Sequence, residues 1–328
     1  MVSPLHHVLV DRGDDGRLVV RWAIDGGAAV DVGIGASPNA SDHVVVVSGT
    51  TSTTVYLDGS GPRPYISVKP TDGVPVVVAE RRVPFIGITN LRDLGGYTAA
   101  GGGVTRWGLV YRADALHKLT DDDLVTFQDL GVRTVYDLRS DVERSEFPGR
   151  VTSLHRPIVG RPPGSVAPAQ SPDMTSEDGE GMLRDIYVGS LAHSAAQIGS
   201  ILRGLAAADG LPAVFHCHGG KDRTGIVAAV LLLALGVDRA DVLDDYEATS
   251  RYRMIEHQQD SLANMLASGM SPEAAAAVLG TPRWAMAEAV DAIDETYGGI
   301  NAYLTGPAGV PMAELTALRD QLIDSPSR

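Results

Sequence analysis

A chain of 328 residues, 44% hydrophobic and 21% charged, has the make-up of a soluble globular protein with room for one large domain or two ordinary ones. Its formal charge of −14, from 27 basic and 41 acidic side chains, argues against a broad nucleic-acid or anionic-membrane surface but permits a small local anion site. The one cysteine, Cys217, allows no intrachain disulfide, so the fold does not depend on an oxidising compartment.

The first residues carry His6, His7, Asp11 and Arg12 without a long apolar stretch between them, so no secretory signal is read there. The longest apolar run, 226–235, is about half of what a membrane span needs. The expectation is a soluble protein, cytoplasmic by default, with no stable membrane insertion; export by a route that needs no such signal stays open.

Residues 1–83 read as strand after strand. Apolar, β-branched stretches recur at 18–24, 29–34, 43–47, 53–57, 65–68 and 74–78. Turn chemistry separates them, as at Asp14-Asp15-Gly16, Asp25-Gly26-Gly27 and Thr71-Asp72-Gly73. About seven short strands in some eighty residues predict an all-β sandwich. Trp22 on an early strand, as a core plug, and Tyr65 opening a late one, as the donor of a corner hydroxyl bond, resemble a fibronectin type III module. The plainer reading is an Ig-like sandwich with no binding role.

From residue 84 to 328 the rhythm changes to an α/β layer, a mostly parallel sheet flanked by helices. Extended pieces at 134–138 and 213–216 alternate with helical ones. Thr120-Asp121-Asp122-Asp123 is a cap followed by acids that suit the positive end of a helix dipole. It leads into Leu124, Phe127 and Leu130 at helical spacing, ended by Gly131. Residues 160–181, rich in Pro, Gly, Ser and Asp, read as a long loop or lid. Helices are expected at 240–268, 272–279, 282–297 and 311–323.

The chemistry concentrates at His216-Cys217-His218-Gly219-Gly220-Lys221-Asp222-Arg223-Thr224-Gly225. A short buried-strand pattern precedes it, an apolar helix follows it, and the glycines permit a tight turn. Loop N–H groups and the helix dipole therefore converge on one point, which stabilises an anion and helps a thiol there lose its proton. Arg223, six positions after Cys217, offers a planar fork for two phosphoryl oxygens. Thr224 can donate to the sulfur. His216 orients the loop and is not needed as a base, because an ionised nucleophile needs none.

This segment resembles the P-loop of protein tyrosine phosphatases, and Gly-Lys-Asp-Arg-Thr-Gly resembles the bacterial atypical, lipid-active branch. Further landmarks match in order: Asn90-Leu91-Arg92-Asp93-Leu94-Gly95-Gly96-Tyr97, Tyr111-Arg112-Ala113, Leu119-Thr120, Tyr136-Asp137-Leu138-Arg139-Ser140, Tyr297-Gly298-Gly299 and Tyr303-Leu304. The likeness runs from about residue 85 onward and supplies no role for the β-rich start. It implies a P-loop phosphate site of His218, Gly219, Gly220, Lys221, Asp222, Arg223 and Thr224. The substrates it implies are phosphoproteins (phosphotyrosine, with phosphoserine or phosphothreonine) and phosphoinositides, with inorganic phosphate as product. It ties Lys221 to phosphoinositide acceptance; a solvated loop lysine is the plain alternative.

Expelling an alkoxide needs a proton donor. Asp222 in the loop is the first candidate, as acid or as the group that positions Arg223. Asp137, ending a buried strand, is the second; its plain alternative is a cap or a partner for a neighbouring arginine. Asn90, Arg92 and Asp93 are read as hydrogen-bonded support near the loop, and Arg139 with Glu143 as an i,i+4 pair. His155, His193 and His257 show no metal-ligand spacing, so neither metal nor cofactor is predicted. A sulfurtransferase would leave Arg223-Thr224-Gly225 without a purpose, and a non-catalytic phosphate sensor would not need both Cys217 and Arg223.

Overall fold

The computed structural model describes residues 5–13, 15–58, 63–162, 172–252 and 255–324. The β-branched start forms β1 (Leu5–Arg12), β2 (Leu18–Ile24), β3 (Val30–Gly35), β4 (Val44–Thr50), β5 (Thr54–Leu57), β6 (Tyr65–Pro70) and β7 (Val76–Ala79). They pair as two antiparallel sheets, β1-β2-β5 and β4-β3-β6-β7. Alternation along each strand sends Leu18, Val20 and Trp22 from one sheet, and Val30, Val32, Ile66 and Val68 from the other, into one shared core. Trp22 is buried as expected. The Tyr65 hydroxyl accepts from Arg63 Nη1 at 3.0 Å, and no corner bond to the backbone is among the hydrogen bonds of the described residues.

The second region runs β8 (Arg92–Asp93), β9 (Val104–Thr105), β10 (Val110–Ala113), α1 (Asp121–Asp129), β11 (Thr134–Asp137), α2 (Asp141–Glu146), β12 (Leu154–His155), α3 (Ser176–His193), α4 (Ala195–Ala206), β13 (Ala213–His216) and α5 (Asp222–Ala234). It continues through α6 (Arg239–Glu247), α7 (Thr249–Tyr252), α8 (Ile255–Ala267), α9 (Pro272–Leu279), α10 (Arg283–Tyr297), α11 (Ile300–Thr305), α12 (Met312–Leu322) and β14 (Ile323–Asp324). The sheet order is β12-β11-β13-β10-β8, with β8 antiparallel and the other neighbours parallel. Register sets Ala113, Asp137 and His216 in one row at the carboxyl ends of the three central strands. Ligand sites of open α/β sheets form at that end. Helix α5 is apolar all round because it is buried all round, with Ile226, Val227, Val230, Leu231 and Leu232 among its core residues.

Two expectations change. The helix expected over 240–268 is broken into α6, α7 and α8. Of the 160–181 loop, residues 163–171 lie outside the described residues, and residues from Ser176 belong to α3. Thr175 and Asp178 form a capping box that starts this helix. Gly179, which argued for a loop, instead lets α3 approach α9: a Cβ there would stand 2.6 Å from the Ala274 carbonyl. Tertiary packing overrides the local preference.

Candidate active site

β13 delivers Cys217 to a buried position, and α5 begins five residues later. Thr224, in the first turn of α5, donates its hydroxyl to Sγ at 3.1 Å. The loop carbonyls are taken by groups behind it. Asn90 Nδ2 donates to the Gly219 and Gly220 carbonyls at 3.4 and 3.1 Å; Arg112 Nη2 donates to those of Gly220 and Lys221 at 2.8 and 3.4 Å. A peptide whose C=O points back into the protein turns its N–H forward, so these donors satisfy buried oxygens and aim the amides at an incoming anion. Gly220 has φ of +63°, and a Cβ on it would lie 2.8 Å from the Ala113 carbonyl, Asn90 Nδ2 and the Asp114 N–H. Only glycine fits there.

Arg223 is held by Glu143, Nη1 to Oε2 at 2.5 Å and Nη2 to Oε1 at 2.7 Å. This corrects the expected Arg139–Glu143 pair. Ser140 is the cap of α2, so Arg139 precedes the helix and the i,i+4 relation does not apply. Glu143 closes the capping box with Ser140 and reaches across to the loop. Burial alone would raise its carboxyl, but the hydrogen bonds and charge of Arg223 hold it at about 2. In turn Glu143 keeps Arg223 cationic against the opposing effect of burial. A guanidinium has five N–H groups. Glu143 takes one N–H of each Nη, and the Nε edge, with no hydrogen bond among those of the described residues, can offer two parallel donors to an anion.

The two acid candidates separate. Asp137 accepts from Arg139 on both oxygens, at 2.9 and 2.7 Å, and Arg144 Nε stands 3.4 Å away. Burial would raise it, but Arg139 and His216 bring it down to about 2. This is the arrangement of the plain alternative, a carboxylate partnered by a neighbouring arginine. Asp222, at the start of α5 and partly exposed, accepts from the Tyr187 hydroxyl at 2.5 Å on Oδ1, with Lys221 Nζ 3.0 Å from the same oxygen. Its Oδ2 makes no hydrogen bond among those of the described residues.

Asn90 reaches the loop carbonyls and Arg92 reaches Asn90, whereas Asp93 turns away from the loop. Adjacent residues on β8 face opposite ways. Arg92 donates to Asp245 Oδ1 at 3.0 Å, to Thr249 Oγ1 at 3.0 Å and to Asn90 Oδ1. Asp93 faces the β-rich region, where Arg63 Nη2 lies 2.8 Å from its Oδ2. Asp245, buried between Arg92 and Arg112, is pulled below the carboxylate range by those two cations despite burial. Asp245, Tyr187 and Glu143 were missed as site residues because their partners are distant in sequence. Arg112 carried a signal, being a cation in an otherwise buried strand.

Lys221 also lies elsewhere than expected. Its ammonium donates to the Val278 and Gly280 carbonyls, both at 2.6 Å, and is buried. It ties α9 to the loop and does not extend into solvent. His216 Nδ1 lies 3.2 Å from the Cys217 carbonyl, and burial lowers the imidazole to about 4, so it is neutral at pH 7. His218 joins His117 and Phe147 in an aromatic cluster, with centroids 5.1 to 5.7 Å apart. Burial lowers both histidines, His117 to about 4. His218 directly follows Cys217 in the chain, so the cluster begins one residue from the sulfur.

A sequence model of the tyrosine phosphatase family matches residues 83–324. The triple specificity protein phosphatase PtpB of Mycobacterium tuberculosis is 30% identical over 284 residues, covering 75% of this chain and 100% of that protein. A Cupriavidus necator protein that carries a tyrosine-protein phosphatase name is 31% identical over 233 residues, covering 70% of this chain and 84% of its own. A tyrosine-protein phosphatase of Nostoc commune is 30% identical over 223 residues, covering 64% of this chain and 73% of its own. With the loop geometry above and a match over most of its length, the chain belongs to the tyrosine phosphatase family.

Proposed function

We propose that the chain hydrolyses phosphate monoesters through a cysteinyl-phosphate on Cys217. The observation that carries this reading is the convergence of the Cys217 sulfur, the Thr224 hydroxyl and the charge of Arg223 on one loop. The Cys217 thiolate attacks phosphorus while the Arg223 Nε edge and loop amides hold the equatorial oxygens. The P–O ester bond breaks, and the leaving oxygen takes a proton from Asp222. Water then attacks the thiophosphate, gives its proton to Asp222, and the S–P bond breaks to release inorganic phosphate. Thr224 stabilises the departing thiolate by its hydrogen bond.

We take phosphotyrosine as the first substrate class, because the neutral cluster of His117, Phe147 and His218 starts one residue from Cys217 and can give an aryl ring a surface to pack on. Phosphoserine and phosphothreonine peptides follow with less support. Phosphoinositides stand second: the charge of Lys221 is spent on carbonyls. An apolar cavity of about 500 Å³ lined by Leu262, Leu266, Ala276, Leu279 and Gly280 lies at the end of α9 to which Lys221 is tied, and is where we would seat an apolar portion of such a substrate. We read residues 1–83 as a fibronectin type III-like or Ig-like domain and 84–328 as the catalytic domain, on the three- and four-stranded sheets around Trp22.

Turnover of p-nitrophenyl phosphate in chelator, followed by phosphotyrosine peptides and phosphoinositide vesicles, tests the reading. Cys217→Ser is expected to lose turnover and keep phosphate binding. Undiminished activity in that variant would sink the mechanism.

A further inference from the structure

The junction between the β-rich region and the catalytic layer is built from buried charge. Arg63, just ahead of β6, has a side chain 4% exposed and stands 2.8 Å from the fully buried Asp93 carboxylate. The same guanidinium donates to the Tyr65 hydroxyl and the Glu80 carbonyl, each at 3.0 Å, and lies against the Trp107 and Tyr111 rings. Asp93 takes the N–H groups of Gly95 and Gly108, both at 2.7 Å. Arg81, on the segment leaving β7, donates to the carbonyls of Asp93 and Gly95 at 2.9 and 2.7 Å and sits 4.0 Å from the Tyr97 ring centroid. Trp107 belongs to the core of the β-rich region, and its Nε1 donates to the Val77 carbonyl.

The other end of these contacts is the active-site loop. Arg92, next to Asp93 on β8, engages Asn90, which donates to the Gly220 carbonyl. The Tyr97 hydroxyl donates to Asp245, which orients Arg112 on the carbonyls of Gly220 and Lys221. Two routes therefore lead from arginines outside the matched family region to the loop backbone: Arg63 through Asp93 and, along the β8 backbone, Arg92 and Asn90; Arg81 through Tyr97, Asp245 and Arg112. Taking two charges out of water costs several kcal/mol per ion unless they stay paired, so a module free to swing would not bury this pair.

We propose that Arg63 and Arg81 are positioning residues for the phosphatase site, and that the β-rich region is a clamp on β8 and not a detachable appendage. Arg63 fixes Asp93, and with it β8, whose Arg92 on the opposite face engages Asn90 behind the loop. The proposal rests on the reading of that loop as catalytic, and its test keeps the two apart.

Two full-length variants serve. Arg63→Lys keeps a cation opposite Asp93, and the double variant Arg63→Met with Asp93→Asn removes the pair without leaving an orphan charge, its melting temperature fixing the range in which it is folded. One arm measures kcat and KM for p-nitrophenyl phosphate. The other measures the rate at which iodoacetamide labels Cys217, the chain's one cysteine, and its protection by inorganic phosphate, which needs no turnover. The double variant is expected to lose about tenfold in kcat, with phosphate protection weakened in step at temperatures well below its melting point. Arg63→Lys is expected to recover most of both. Wild-type kcat and wild-type protection in the double variant would overturn the proposal, as would losses confined to its unfolding range. A wild-type protein that turns over nothing would fail the catalytic reading alone, and the labelling arm would still decide this one.

Discussion

Glu143 shows how one side chain serves two masters. It closes the capping box of α2 and holds Arg223 on both Nη, so the helix start and the anchoring of that guanidinium are one structure. Glu143→Gln keeps the shape but removes the charge that fixes the guanidinium. It should lower kcat for p-nitrophenyl phosphate by about 10- to 100-fold, because charge-stabilising groups carry effects of that size; unchanged kcat would mean Arg223 holds its place unaided. Asp222 belongs to the same scale. Asp222→Asn should cost about 10²-fold or more on phosphotyrosine peptide, whose leaving group needs a proton. The loss should be much smaller on p-nitrophenyl phosphate, whose anion leaves unaided. Equal losses on both would remove Asp222 from the acid role.

Between β13 and α5 the loop is shaped from behind. Asn90 and Arg112 occupy its carbonyls, and Lys221 ties its end to α9. Gly220 is where this shape tolerates least, since its backbone is left-handed and the space a Cβ would need is already filled. Gly220→Ala should therefore lose about 10²-fold or more in kcat/KM through misplacement of the amides. It should also cost about 1–3 kcal/mol of stability from backbone strain. A crystal structure of the variant with an unmoved loop, or activity within twofold (about 0.4 kcal/mol) of wild type, would contradict this account of the turn.

Over the whole molecule, buried titratable groups set a direction for pH. His216 is held at about 4, below its ordinary 6.5. Between those values the unfolded chain binds a proton that the folded one refuses, so stability falls as pH drops from 6.5 towards 4. Its share is on the order of 3 kcal/mol, from a fall of about 2.5 in pKa. Asp137 and Glu143, held at about 2, add stability above their ordinary values of 3.8 and 4.5 and lose it as pH falls towards 2. Melting temperature should therefore decline from about pH 6.5 downward and more steeply below about pH 4.5. A flat profile over that range would show that these groups are solvated in the folded protein.

The amino-acid order alone determined what is local: the strand rhythm of residues 18–78, the Thr120 cap, and the Cys217–Gly225 loop between an apolar strand and an apolar helix. These are legible because period-2 alternation, caps and glycine turns act between residues close in the chain. Pairing across long separations was decided by the tertiary structure. Glu143 and Arg223 lie 80 residues apart, and Arg92 and Asp245 lie 153 apart. No spacing rule joins such residues, and the nearer partner, Arg139 for Glu143, looks as good on a helical wheel. Alternation on β8 likewise split Arg92 from Asp93, sending one to the loop and the other to the β-rich region. A buried ion finds whichever opposite charge the packing brings within reach, and only the packed chain says which that is.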